Sequence, residues 1–333
     1  MTTTVLICDD SSLARKQMAR SLPADWDVEI SFAENGQQGV ALISEGKGEI
    51  LFLDLNMPVM DGYEVLKAIR ENELSTMVVV VSGDVQPEAY ERVIALGALD
   101  FVKKPVDTSQ IQDIFHKYGI YGKSSVNQPV QQRVSNLEVK YEDGYQEVAN
   151  VAMGRAADLL ARLLNVFVIL PIPNVNMFEN SELRMALRDI ADNESVSGVC
   201  QGFIGSGIAG EALLIFNDSS FEDIAELMSF DGEIDDSVQL ELLMDISSIL
   251  IGACLKGIAD QLDVNFSQGH PVVIDKHIRV HDLLNQNISK WDKTLAIEIQ
   301  YKIENKRINC ELLLLFTEDS IDALNQKISY IVD

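Results

Sequence analysis

The first 118 residues alternate strictly between short apolar runs and amphipathic ones, and this constrains the fold more than any other feature of the chain. The apolar runs are TVLIC, VEISFA, ILFLD, MVVVVSG and DFVKK. Between and after them lie LARKQMARSL, opening at Ser11 or Ser12, then GQQGVALIS, GYEVLKAIREN, PEAYERVIALG and TSQIQDIFHKYG, the last ending near Gly119. Strand and helix in strict turn mean right-handed βαβ units and a parallel sheet. Apolar runs of four to eight residues bounded by turn signals suit strands covered on both faces. Every such strand delivers its last residues to one rim, the edge at which ligands collect in open α/β sheets.

The rim residues have a chemical logic. Asp9 and Asp10 leave the first strand, Asp54 the third, Ser82 the fourth and Lys104 the fifth. Clustered carboxylates repel one another and favour a hard cation, and Mg²⁺ held by one or two of them with waters is the usual solution. A carboxylate beside such an ion can act as nucleophile to form an aspartyl phosphate, while a lysine and a hydroxyl neutralise the phosphoryl oxygens. Any one of these residues alone reads as a solvated acid or base at a strand end; five ordered positions read as a site. Lys103 beside Lys104 is sent to the opposite face by strand alternation.

CDD at 8–10, LDLNMPVMDG at 53–62, VSG at 81–83 and VKKP at 102–105 resemble the receiver domain of two-component response regulators, with all five signature positions in order. The resemblance implies a doubly wound, five-stranded parallel α/β domain with Asp54 as phosphoacceptor. It further implies Mg²⁺ held by Asp9, Asp10, Asp54 and the backbone of Asn56, Ser82 as switch hydroxyl and Phe101 at the switch aromatic position. The Lys104–Pro105 bond is expected to be cis, and a sensor histidine kinase is expected as phosphodonor.

A length of 333 residues predicts two domains. Asp and Glu number 52 against 26 Lys and Arg, a net charge of −26, which argues against nucleic acid or an anionic membrane as partner. Without a signal-like start, and with no apolar run approaching the roughly 18 residues that cross a bilayer, the expectation is a soluble, cytoplasmic chain. Cys8, Cys200, Cys254 and Cys310 form no CxxC pair and are expected to be unpaired, buried thiols. The expected boundaries are 1–121 for the receiver, 122–142 for a polar, turn-rich linker and 143–333 for an output domain with no basic helix-turn-helix.

The second half repeats itself. DGYQEVANVAMGRAADLLARLLN from Asp143 and ELLMDISSILIGACLKGIADQLD from Glu241 are long helical segments that align at an offset of 98, pairing Glu147 with Asp245, Asn150 with Ser248, and Pro173 with Pro271. GEALLIFNDSSFEDIAELM from Gly210 and CELLLLFTEDSIDALNQKI from Cys310 align at an offset of 100, so that Phe216 matches Phe316. Two copies of helix, strands and helix predict an α+β pseudo-twofold domain with a mixed or antiparallel sheet backed by two long helices. In LAIEIQYKI, residues 295–303, every second residue is apolar, as a half-buried antiparallel strand requires.

Glu147 and Asn150 are three apart on the first long helix and share a face, with Asp143 one turn earlier. An acid and an amide projecting together can grip a lysine and orient a water, the two requirements for hydrolysing an aspartyl phosphate in line. The pattern Asp-x-x-x-Glu-x-x-Asn followed by Pro173 resembles the CheC and CheX family of chemotaxis phosphatases, which dephosphorylate the receiver protein CheY. The resemblance implies that Glu147 binds a receiver's lysine and Asn150 positions the attacking water, with Asp143 and Pro173 architectural. In the second copy Asp245 is one methylene shorter and Ser248 lacks the amide, so that site is expected to be degenerate.

His277 and His281 are four apart but have no glutamate between them and no third ligand, so they read as surface histidines, as do His116 and His270. The expected function is a response regulator whose output domain removes phosphate from a CheY-type receiver, ending a chemotaxis signal under control of Asp54 phosphorylation. The alternatives are a phosphorylation-controlled binding module without catalysis, and hydrolysis directed at the chain's own receiver. A homodimer is compatible with all three.

Overall fold

The computed structural model describes residues 2–120, 139–179, 181–183, 185, 196–274 and 293–332. The chain divides into two compact units, Met1–Glu147 and Val148–Asp333. Most of the expected linker lies outside the described residues, as do His277 and His281.

In the first unit, β1 (Thr3–Cys8), β2 (Val28–Ala33), β3 (Ile50–Leu53), β4 (Met77–Ser82) and β5 (Asp100–Lys103) form one sheet in the order β2-β1-β3-β4-β5. All its pairings are parallel. Helices α1 (Ser12–Ser21), α2 (Gly36–Ser44), α3 (Gly62–Glu71), α4 (Pro87–Ala95) and α5 (Thr108–Tyr118) connect and follow the strands. Alternate strand residues feed two cores. Val5, Ile7, Phe52, Val79 and Val81 pack with Met18, Trp26 and Phe115, while Leu6, Leu51, Leu53, Val78 and Val80 pack with Val65, Leu66 and Val93. Each fully buried side chain of this size contributes roughly 1.5–3 kcal/mol.

Side-chain caps fix the helix starts on which the site depends. Ser11 accepts from the backbone N–H of Ala14, and Asp61 and Glu64 form a reciprocal capping box on α3. Gly62 follows that cap because a Cβ there would come 2.3 Å from the carbonyl oxygen of Asp54. The α5 helix ends at Tyr118 with Gly119 in the left-handed conformation, where the sequence places its stop.

The boundary between the units falls inside α6 (Tyr141–Leu164), which begins two residues before Asp143. The second unit continues with β6 (Val168–Ile169), β7 (Asn174–Glu179), β8 (Val196–Gly205), β9 (Ile208–Asn217), α7 (Ser220–Leu227) and α8 (Asp236–Leu262). It then runs through β10 (Ser267–Gln268), β11 (Val272–Ile274), β12 (Lys293–Ile303), β13 (Asn309–Phe316), a 3-10 turn at Glu318–Ser320 and α9 (Ile321–Val332).

Its eight strands form one antiparallel sheet with the path β10-β8-β9-β13-β12-β6; β11 pairs with β8 and β7 with β12. The register reproduces the sequence repeat. Gly210 faces Phe316, Phe216 faces Cys310 and Leu213 faces Leu313, so a pseudo-twofold axis passes between β9 and β13. The exchange is reciprocal: β7 of the first copy joins β12 of the second, and β11 of the second joins β8 of the first.

The two long helices touch closely within this unit. A Cβ on Gly257 would come 2.8 Å from Cα of Ala152, and Gln261 Nε2 donates to the carbonyl of Val148 at 3.0 Å. Helix α8 starts at Asp236, five residues earlier than the repeat suggests, because Asp235 accepts from the backbone N–H groups of Ser237 and Val238. It also amends one expectation: among the described residues α8 is a helix long and apolar enough to cross a membrane, and 61% of that stretch is buried inside the unit. The four cysteines are free and buried.

Candidate functional site

Strand ends of the first unit bring Asp9, Asp54, Ser82 and Lys104 together, all at most 5% exposed. Lys104 is the hub. Its Nζ lies 2.7 Å from Asp9 Oδ2, 3.1 Å from Asp54 Oδ1 and 3.5 Å from Glu147 Oε1. Lys103 points to the opposite side and is exposed. The backbone N–H of Lys104 donates to the carbonyl of Ser82 at 2.9 Å, and the Lys104–Pro105 bond is cis.

Asp54 Oδ2 accepts from the backbone N–H of Asn56 at 2.8 Å, which orients the carboxylate. Ser82 Oγ accepts from the backbone N–H of Asp84 at 3.2 Å. Phe101 is half-buried, and the ring of Tyr90 meets it edge-on at 6.1 Å.

Burial alone would lower the Lys104 ammonium, but the charges of Asp54, Asp9 and Glu147 outweigh it and hold the lysine well above its ordinary range. Burial pushes Asp10 up to about 7, the charge of Asp54 adding to the effect. Asp9 is also raised, chiefly by burial, with Lys104 opposing the shift. Among the described residues no three His, Cys, Asp or Glu side chains gather into a metal cage. Mg²⁺ needs only one or two carboxylates with waters, and a buried surplus of carboxylates is what a hard cation relieves. Asp9, Asp10, Asp54 and the backbone of Asn56 therefore fit the ion as a water-rich site.

The start of α6 reaches the same rim within the first unit. Besides Glu147 on Lys104, Gln146 Nε2 donates to Asp10 Oδ2 at 3.2 Å, and Asp143 Oδ2 accepts from Ser12 Oγ at 2.5 Å. Asp9, Asp54, Lys104 and Glu147 line one small cavity with Gln17 and Met18. Glu147 is 5% exposed, and its Oε2 has no hydrogen-bond partner among the described residues.

Three rim residues were not singled out from the sequence. Ser12 and Gln146 carry no motif. Arg15 is buried, with Nη1 donating to the backbone carbonyls of Asp9 at 2.7 Å and Asp10 at 3.2 Å; its signal is a cation one turn into the helix that follows the acidic pair.

In the second unit, Asn150 is 6% exposed, and its Oδ1 likewise has no partner among the described residues. The second copy differs sharply: Asp245 and Ser248 are exposed, and Ser248 Oγ donates to the carbonyl of Met244 in its own helix at 2.8 Å. Pro173 is buried and Pro271 half-buried.

The model of the response regulator receiver domain matches residues 5–116. These residues are a receiver domain. Such a domain takes its phosphoryl group from a donor such as a histidine kinase. The chain is 37% identical over 102 residues to protein-glutamate methylesterase/protein-glutamine glutaminase 3 of Geobacter sulfurreducens, a match covering 30% of this chain and 27% of that protein. The chain thus spans about a quarter of that relative's length.

Among solved structures, CheY4 of Vibrio cholerae is 26% identical, over 35% of this chain and 98% of that one, with a TM-score of 0.33. FliY of Thermotoga maritima is 16% identical over 59% of this chain and 99% of that one, with a TM-score of 0.43. Neither likeness is close enough to speak for function.

Proposed function

We propose that the chain is a response regulator with aspartyl-phosphate phosphatase activity, and that the first target of its Glu147 and Asn150 is the phosphoryl group on its own Asp54. The observation that carries this is the buried contact of Glu147 Oε1 with Lys104 Nζ, 3.5 Å apart in one chain. Gripping a receiver's lysine is the role that the resemblance to CheC and CheX phosphatases gives this glutamate.

In the reaction, a water oxygen attacks phosphorus opposite the Asp54 oxygen. The bond from phosphorus to that oxygen breaks, inorganic phosphate leaves, and the Asp54 carboxylate is regenerated. Lys104 neutralises phosphoryl oxygens and Ser82 donates to one of them. Glu147 holds the Lys104 ammonium against the rim. Asn150, three residues on from Glu147, carries the role of positioning the attacking water that the resemblance gives it, and its amide oxygen has no partner among the described residues. Mg²⁺, when bound by the acidic rim, supplies further charge neutralisation.

The test is the half-life of Asp54 phosphate in the full chain after loading from a small acyl phosphate. Glu147→Ala and Asn150→Ala are expected to lengthen it by about two orders of magnitude, as loss of a positioning group in a displacement does. A half-life unchanged in both variants contradicts hydrolysis at the chain's own Asp54 and leaves the binding module or action on a separate receiver. Action on a separate CheY-type receiver is the second reading, available wherever Glu147 leaves Lys104.

A further inference from the structure

The resemblance leaves position 143 without a chemical task and says nothing of position 146, yet both touch the receiver rim. Asp143 Oδ2 accepts from Ser12 Oγ at 2.5 Å and from the backbone N–H of Lys140 at 3.0 Å. Gln146 Nε2 donates to Asp10 Oδ2 at 3.2 Å. Positions 143, 146 and 147 are three and four apart and so form one face of α6. That face meets the rim at Ser12, Asp10 and Lys104, from the start of α1, the turn before it and the residue after β5.

We propose that Asp143 and Gln146 are docking residues that decide which receiver Glu147 can address. The groups they recognise are the second carboxylate of the acidic pair and a hydroxyl two residues beyond it. Charge explains the choice of side chains. A carboxylate brought to a rim that already carries Asp9, Asp10 and Asp54 is repelled unless a donor meets it, and here the Ser12 hydroxyl does. At position 146 an acid would repel Asp10, whereas a neutral amide donates to it. A receiver with an apolar or acidic residue in place of Ser12 would leave Asp143 part-buried with the Lys140 backbone N–H as its remaining donor, which disfavours docking by the desolvation cost of a charge.

The docking stands on geometry; its effect on hydrolysis rests on the phosphatase reading above. Two readouts on the full chain separate them: hydrogen exchange of the amides of residues 141–150, and the half-life of Asp54 phosphate. Ser12→Ala leaves α6 chemically intact, and Gln146→Met keeps length without a donor. Each is expected to speed exchange and lengthen the half-life by roughly three- to tenfold, the effect of one part-buried hydrogen bond. Asp143→Asn, which keeps an acceptor oxygen, should lie nearer the parent than Asp143→Ala in both readouts. Faster exchange in Ser12→Ala and Gln146→Met together with a half-life indifferent to Glu147→Ala would uphold docking and sink the reading of hydrolysis at the chain's own Asp54. Exchange at parental rates in both Ser12→Ala and Gln146→Met overturns the proposal.

Discussion

One ammonium shared by three carboxylates sets the electrostatics of the rim, and Lys104 was legible as that cation because it ends a strand just before a proline. Asp9, Asp10, Asp54 and Ser82 were legible for the same reason: in a parallel sheet, strand ends converge whatever lies between them. The partner of Glu147 was not legible. Helical period says which face a residue occupies but not what covers it, and the spacing from Lys104 to Glu147 carries no local signal. A carboxylate on the second unit's sheet also titrates unusually. Burial, followed by the charge of Glu298, pushes Glu311 up to about 7 from an ordinary 4.5. The folded state therefore favours neutral Glu311, whose contribution to stability is full below about pH 4.5 and lost as pH rises through about 7. Discounted for partial exposure, the loss is about 1–2 kcal/mol. In Glu311→Gln, amide exchange of β12 and β13 at pH 8 should slow relative to the parent and match it near pH 4.5; a parent whose exchange-derived stability does not decline across this range contradicts the assignment.

At the scale of elements, periodicity placed the strands and helices of the first 118 residues, and the repeat placed the two long helices, β9, β13 and the helices after them, whereas β8 was not marked by it. The starts of the long helices were less legible. Asp235 caps α8 six residues ahead of the aligned Glu241, and nothing in the first copy marks an equivalent position. Gly257 was visible only as a glycine inside a helix, which costs about 1 kcal/mol relative to alanine and so implies a packing reason. That reason is Ala152, whose Cα would lie 2.8 Å from a Cβ at position 257. Gly257→Leu is expected to force α6 and α8 apart and to lower stability by about 1–3 kcal/mol, read as a lower denaturant midpoint. A midpoint equal to the parent would mean that this helix contact is not tight.

For the whole molecule, the two copies of one frame differ in what they bury. Glu147 and Asn150 are buried, whereas Asp245 and Ser248 face outward and Ser248 bonds to its own helix. The sequence showed that the second pair lacks reach and an amide; it did not show that Glu147 would meet Lys104 of the same chain, since a regulator and its target are written alike whether joined or separate. Whether Glu147 acts within its own chain is decided by two readouts. A Glu147→Ala chain phosphorylated on Asp54 can be mixed with an Asp54→Asn chain that keeps Glu147, while the phosphorylated parent is followed across a hundredfold dilution. Internal hydrolysis predicts a parental half-life independent of concentration and no rescue of the Glu147→Ala chain by its partner. A half-life that lengthens on dilution, with full rescue in the mixture, would contradict it.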